Sequence, residues 1–177
     1  MHPALALAAA LALVPGLAAA LEPRFDHRDT HGPSAEALLA HDTVARPGSS
    51  SASSWRSGLR LAWGLEVSGE GDEVLVGASL ALGSPDDPER TRVVLAADAR
   101  YRGYFGSEQA KTFFDVGVWV PVRSRLAVGP LVGIGVAYDF SRAFGVHLAG
   151  SFATAFGEAR IASFGVSAGA QLRFELL

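Results

Sequence analysis

The sequence contains no cysteine and a single lysine, Lys111, in 177 residues. Without cysteine there is no disulfide scaffold, no thiolate metal site and no cysteine nucleophile. Charge is sparse: Asp, Glu, Lys and Arg make up 19% of the chain, and 18 acids against 15 bases leave a net charge of −3. That balance offers no electrostatic grip on a polyanion, so no nucleic-acid partner is expected. No glycine-rich phosphate loop, metal-ligand signature or nucleophile elbow occurs, so no cofactor or metal is expected either. What is present is apolar bulk (49%), a mean hydropathy of +0.25, 20 Gly and 9 Pro. So much glycine and proline works against a helical bundle, and so much apolar surface against a disordered chain. The length suits one domain.

The N-terminus reads as an address. Ala4 to Val14 is an uninterrupted small-apolar run, broken by Pro15-Gly16 and followed by Leu17-Ala18-Ala19-Ala20. Core length and the small-x-small site predict a secretory signal peptide over residues 1–20, cleaved after Ala20, although the leading Met1-His2-Pro3 carries no basic residue. A cysteine-free protein avoids mispairing in the oxidising compartment beyond.

Residues 21–55 read as a polar, partly disordered periplasmic leader. Pro47 to Ser54 is a low-complexity linker, and Ser34 to Ala40 fits a short helix with Ser34 as its N-cap. Asp26, His27, Asp29 and His31 lie close enough in sequence to suggest a metal. Gly32-Pro33 follows at once and no helix is predicted there, so they are read as a solvated tail.

From Gly58 onward the chain alternates with period two. Between Leu126 and Phe140 the even positions include Val128, Val132, Ile134, Val136, Tyr138 and Phe140, and the odd ones Ala127, Gly129, Gly133, Gly135, Ala137 and Asp139. Phe144 to Phe156 sets Phe144, Val146, Leu148 and Phe152 against Gly145, His147, Ala149 and Ser151. Similar segments follow at 59–68, 73–82, 93–102, 113–122 and 163–176, separated by turn sequences such as Ser68-Gly69-Glu70-Gly71-Asp72. These are seven long antiparallel strands, with a barrel expected over residues 56–177.

Two solvents are compatible with such strands. A soluble barrel would turn its bulky face inward and need a water-loving outer face. The second face here is Gly, Ala and Ser with scattered charges, a poor water-facing surface but a good lining for a narrow barrel. The bulky face then meets lipid, and closure satisfies the backbone without water. The reading is an all-β, up-and-down transmembrane β-barrel. Its alternatives are a soluble periplasmic barrel holding an apolar ligand, and a narrow porin-like channel. Tyr101, Phe114, Tyr138, Phe140, Phe144 and Phe174 fall near one end of their strands and would form an interfacial girdle.

The C-terminal stretch from Ser167 to Phe174 resembles the assembly signal of the small outer-membrane β-barrels of Gram-negative bacteria, of OmpA and OmpX type. Ser167, Gly169, Leu172 and Phe174 match its polar, glycine, hydrophobic and aromatic positions, although Glu175-Leu176-Leu177 extend beyond the usual end. The resemblance implies outer-membrane localisation, lipid contacts, and periplasmic chaperones and the barrel-assembly machinery as partners during biogenesis. It also implies an even strand count, which puts an eighth strand between Ala37 and Arg56.

The expected lining carries Arg60, Glu66, Asp98, Arg100, Arg102, Asp115, His147, Gln171, Arg173 and Glu175. Unpaired charges are costly in such an interior, so they should pair across strands, Asp115 with Arg100 or Arg102, as a plug rather than a selectivity ring. His147 and Ser151 share a face, but four residues of strand hold them about 13 Å apart. Gly133, Ala137, Gly165 and Gly169, their expected neighbours, supply no acid or base, so no enzyme is expected. The connections Ser84–Arg90, Val122–Arg125 and Phe156–Arg160 are short for ligand capture. A structural or undefined envelope role is the expectation.

Overall fold

The alternation becomes eight long antiparallel strands in a computed structural model, which describes residues 30–48, 50–68, 71–83, 93–106, 109–122, 127–157 and 159–175. They are β1 (Thr30–Ala45), β2 (Ala52–Glu66), β3 (Glu73–Gly83), β4 (Val93–Phe105), β5 (Ala110–Val122), β6 (Gly129–Ser141), β7 (Phe144–Phe156) and β8 (Arg160–Leu172). A two-residue strand, β9 (Phe174–Glu175), pairs with Thr30 and His31. Each strand pairs with its neighbour in sequence, and β1 pairs with both β2 and β8, which closes the sheet.

The register fixes the barrel's dimensions. Gly32 faces Gly64, and successive partners around the sheet are Leu75, Arg100, Gly117, Leu131, Ala153 and Ser163. Ser163 faces Asp42, so the circuit returns to β1 ten residues further on. With eight strands, that stagger sets a tilt of about 40° and a backbone radius of about 8 Å. Such a cylinder is just wide enough for side chains from opposite walls to meet.

One end of the barrel, the base, carries the start of β1, the end of β8 and the turns after β2, β4 and β6. The mouth carries the other connections. At the base Gly71 adopts a φ of 95°, open to glycine at little cost. The neighbouring Asp72 then accepts bonds from the Tyr104 N–H at 3.0 Å and from the Tyr101 hydroxyl. The β6–β7 turn is tight, with a register shift between Asp139 and Ser141.

The bulky faces point outward. Leu61 is 65% exposed and Ile134 73%, alongside Val76, Leu95, Val118, Val132, Leu148 and Val166. This overturns the soluble-barrel alternative, which needs that face inside.

Four further expectations are corrected. The leader assigned to 21–55 is barrel from Thr30 to Ala45, and the Ser34–Ala40 helix is a strand within it. The eighth strand therefore begins seven residues before the expected window at Ala37. The barrel also takes in Ala52 to Ser54 of the supposed linker, which begin β2. The physical reason is closure: β1 has a weak pattern of its own, with Ala35 and Ala37 outward, but ladders on both flanks hold it extended. The signal peptide, the Asp26–Asp29 part of the imagined metal cluster and the Ser84–Arg90 loop lie outside the described residues.

Candidate functional site: a lumen filled by ion pairs

The lumen is filled by charges that cancel. Six carboxylates (Glu36, Asp42, Glu73, Asp98, Asp115, Asp139) and six cations (Arg56, Arg60, Arg100, Arg102, Lys111, Arg173) are buried among the described residues. They lie in layers along the axis because neighbouring lumen positions on one strand are two residues apart.

Nearest the mouth, Arg56 donates to Asp42 at 2.8 Å. The central layer joins β1, β2, β4 and β5. Arg60 donates to Glu36 at 2.5 Å and grips Asp98 with two bonds, at 2.9 and 2.6 Å. Arg102 grips Asp115 in the same forked way, at 2.8 and 2.9 Å. Such paired parallel bonds fix orientation as well as supplying energy. Arg100 bridges the two carboxylates, at 2.6 Å to Asp98 and 3.5 Å to Asp115. The Arg102 guanidinium also lies 3.9 Å from the Phe113 ring centre, a cation–π contact inside the barrel.

Below Phe113 comes a second network. Arg173 joins Glu73 at 3.1 Å and Asp139 at 2.8 Å, and Lys111 reaches Asp139 at 3.1 Å. Gln171 donates to Glu73 at 2.9 Å.

Small residues make room for these long side chains. A Cβ at Gly77 would sit 2.8 Å from the Arg60 Nη2 atom. On the far wall, a Cβ at Gly169 would sit 2.7 Å from the Glu36 side chain and 2.9 Å from the His147 ring. The glycines of the lining are therefore the complement of the arginines: the cross-section is fixed, so length on one wall requires its absence on another.

Of the sequence-derived lining residues, the structure brings Arg60, Asp98, Arg100, Arg102, Asp115, His147, Gln171 and Arg173 together in the lumen, and Asp115 meets both Arg102 and Arg100. Two do not join the buried network. Glu66 is at the base rim, where it accepts a bond from the Ser68 N–H at 3.0 Å, and Glu175 is exposed on β9. Each continues the inward parity of its strand but lies past the end of the enclosed interior. Sequence reasoning missed Glu36 and Asp42, which sit in the supposed leader, and did not count Arg56, Glu73, Lys111 and Asp139. For the last four the signal was present, since each shares its strand's inward parity. His147 keeps the strand neighbours expected, Ala137 and Gly169. It also faces an acid supplied by β1: its Nε2 is 3.4 Å from Glu36 Oε1, not aligned for a hydrogen bond.

The outer surface completes the arrangement. Tyr101, Phe105 and Phe114 cluster at the base, as do Tyr138, Phe140 and Phe144. His31 lies between Trp63 and Phe174, with ring centres 5.5 and 6.1 Å away. Towards the mouth His41 packs on Trp55 at 4.9 Å. Ten residues of tilted strand separate the two histidines, about 25 Å along the axis, which is the height of an outer-membrane barrel's apolar band.

Solved structures share this architecture. Neisserial surface protein A superposes with a TM-score of 0.57 at 13% identity, covering 80% of this chain and 97% of that one. The fold is that of the small outer-membrane β-barrels. The outer membrane protein OprG from Pseudomonas aeruginosa gives a TM-score of 0.54 at 9% identity, over 87% of this chain and all of its own. At such identities the likeness is one of fold. No protein-family model and no curated sequence matches the chain.

Proposed function

We propose that this chain is an outer-membrane barrel with a structural role in the envelope, its lumen plugged rather than open. The observation that carries the reading is the balanced set of six buried carboxylates and six buried cations inside an apolar outer band. In this reading residues 1–20 direct export. Ser167, Gly169, Leu172 and Phe174 on and just after β8 present the assembly signal to the barrel-assembly machinery, delivered by periplasmic chaperones. The plug stiffens the cylinder, because forked Arg–carboxylate pairs tie β2 to β4 past the intervening β3 and clamp the adjacent β4 and β5 side by side.

Cell fractionation with heat-modifiable gel migration tests this reading. The expected result is recovery with outer membranes and a mobility shift on boiling, as a barrel that resists unheated detergent gives. Recovery as a soluble periplasmic protein would overturn it.

A further inference from the structure

The lumen is not filled to its full length. Between the Arg56–Asp42 pair and the central layer lies a cavity of about 90 Å³. That volume suits about three waters or one small ion. Arg100 and the serines Ser79, Ser151, Ser163 and Ser167 are among its lining residues.

The groups facing it have an unequal hydrogen-bond balance. Each carboxylate that reaches its wall is neutralised by an arginine through at least one oxygen: Asp42 accepts from Arg56, Glu36 Oε1 from Arg60, and Asp98 from both Arg60 and Arg100. Arg100 is the most exposed lumen cation, at 9%. It uses Nε and one terminal nitrogen on Asp98 and Asp115, which leaves the other terminal nitrogen without a partner. Among the described residues none of the four serine hydroxyls has a hydrogen-bond partner, and they come from β3, β7 and β8, so they converge from different walls. The unspent capacity includes a guanidinium N–H and several hydroxyls, all of which can donate to a guest that accepts. The serines are only half-buried, so these groups are open to whatever occupies the chamber.

We propose that this chamber is a binding site for one small monovalent anion, of halide to formate size, held by Arg100 and the surrounding serine hydroxyls. The site rests on lumen geometry alone and stands whether or not the barrel has the envelope role given above. Arg60 and Arg102 remain locked in their forked pairs and Arg56 is engaged with Asp42, so the anion is recognised by Arg100, through the terminal nitrogen that its two carboxylates leave open.

The test is to refold the full chain in detergent with sodium bromide, so that the ion is present as the barrel closes, and to locate bromide by anomalous diffraction. The expected result is a peak inside the chamber within hydrogen-bonding distance of Arg100. Ser151→Leu, which puts an isobutyl group into the space and leaves the ion pairs intact, should remove that peak while heat-modifiable migration persists. Arg100→Gln should also remove it; the serine variant serves if Arg100→Gln does not fold. Water alone in the wild-type chamber overturns the proposal. So does bromide bound only on the outer surface, an adventitious ion only, and so does a chamber peak that survives Ser151→Leu.

Discussion

At the scale of single residues, the lumen pairs matter for what happens when one half is removed. Arg102 is fully buried, and its charge is answered by two bonds to Asp115 and by the Phe113 ring. Asp115→Asn leaves that guanidinium uncompensated, and breaking one side of a buried pair costs about 3–5 kcal/mol. Replacing both, as Arg102→Leu with Asp115→Leu, removes both desolvated charges together and should recover most of the loss. Equilibrium urea unfolding in phospholipid vesicles, followed by tryptophan fluorescence, measures both. A single-variant cost below about 1 kcal/mol would mean that water reaches the pair and that it does not brace the wall.

At the scale of elements, β1 is the instructive case. Its outward face of Pro33, Ala35, Ala37 and Leu39 is small, and its inward face alternates acids with Ser34, Leu38 and Ala40. The contrast that made β6 and β7 legible is therefore muted, and alanines beside Glu36 look helical. What fixes β1 as a strand is non-local: fourteen register pairs to β2 and twelve to β8. The β7 segment, by contrast, matched its expected bounds at both Phe144 and Phe156, because phenylalanine and leucine oppose glycine, alanine and serine along it. The same logic governs the site. Arg100, Arg102 and Asp115 were legible because their strands were, while Glu36 and Asp42 were hidden with β1. The rim positions of Glu66 and Glu175 depend on where the barrel wall ends, which side-chain parity does not encode.

β1 also supplies its own test. Ala37 lies mid-strand on the lipid side, paired with Leu59 and Ala168. An arginine on the lipid face near the bilayer midplane costs about 2–4 kcal/mol. Ala37→Arg should therefore lower unfolding stability in vesicles by about that amount, whereas the same change in a solvated leader would cost nothing measurable. No change in the urea midpoint would remove β1 from the wall.

At the scale of the whole molecule, stagger and charge act together. Eight strands and a ten-residue stagger give a cylinder about 8 Å in backbone radius, and a cylinder that narrow is closed by whatever side chains it carries. In this one the closure is built twice. The Arg60, Arg100 and Arg102 network crosses the middle, and the Arg173, Glu73 and Asp139 network crosses the base, with Phe113 between them. An ion crossing the barrel would have to break both layers in turn, and at each it would meet opposite charges already paired, so neither layer offers it a net binding field. The expected result in planar-bilayer recording is therefore no steady conductance above the bare membrane. An anion in the chamber towards the mouth would not alter this, because the chamber stops at the central layer. Shortening only one layer, as in Arg60→Ser with Asp98→Ser, should leave the barrel closed because the base network still spans it. Shortening Arg173→Ser, Glu73→Ser and Asp139→Ser as well, together with Arg102→Ser, Asp115→Ser and Phe113→Ser from the middle, should open a conductance. A steady current through the wild-type barrel would mean that neither layer closes it, and one appearing after the first pair of substitutions would mean that the base layer does not.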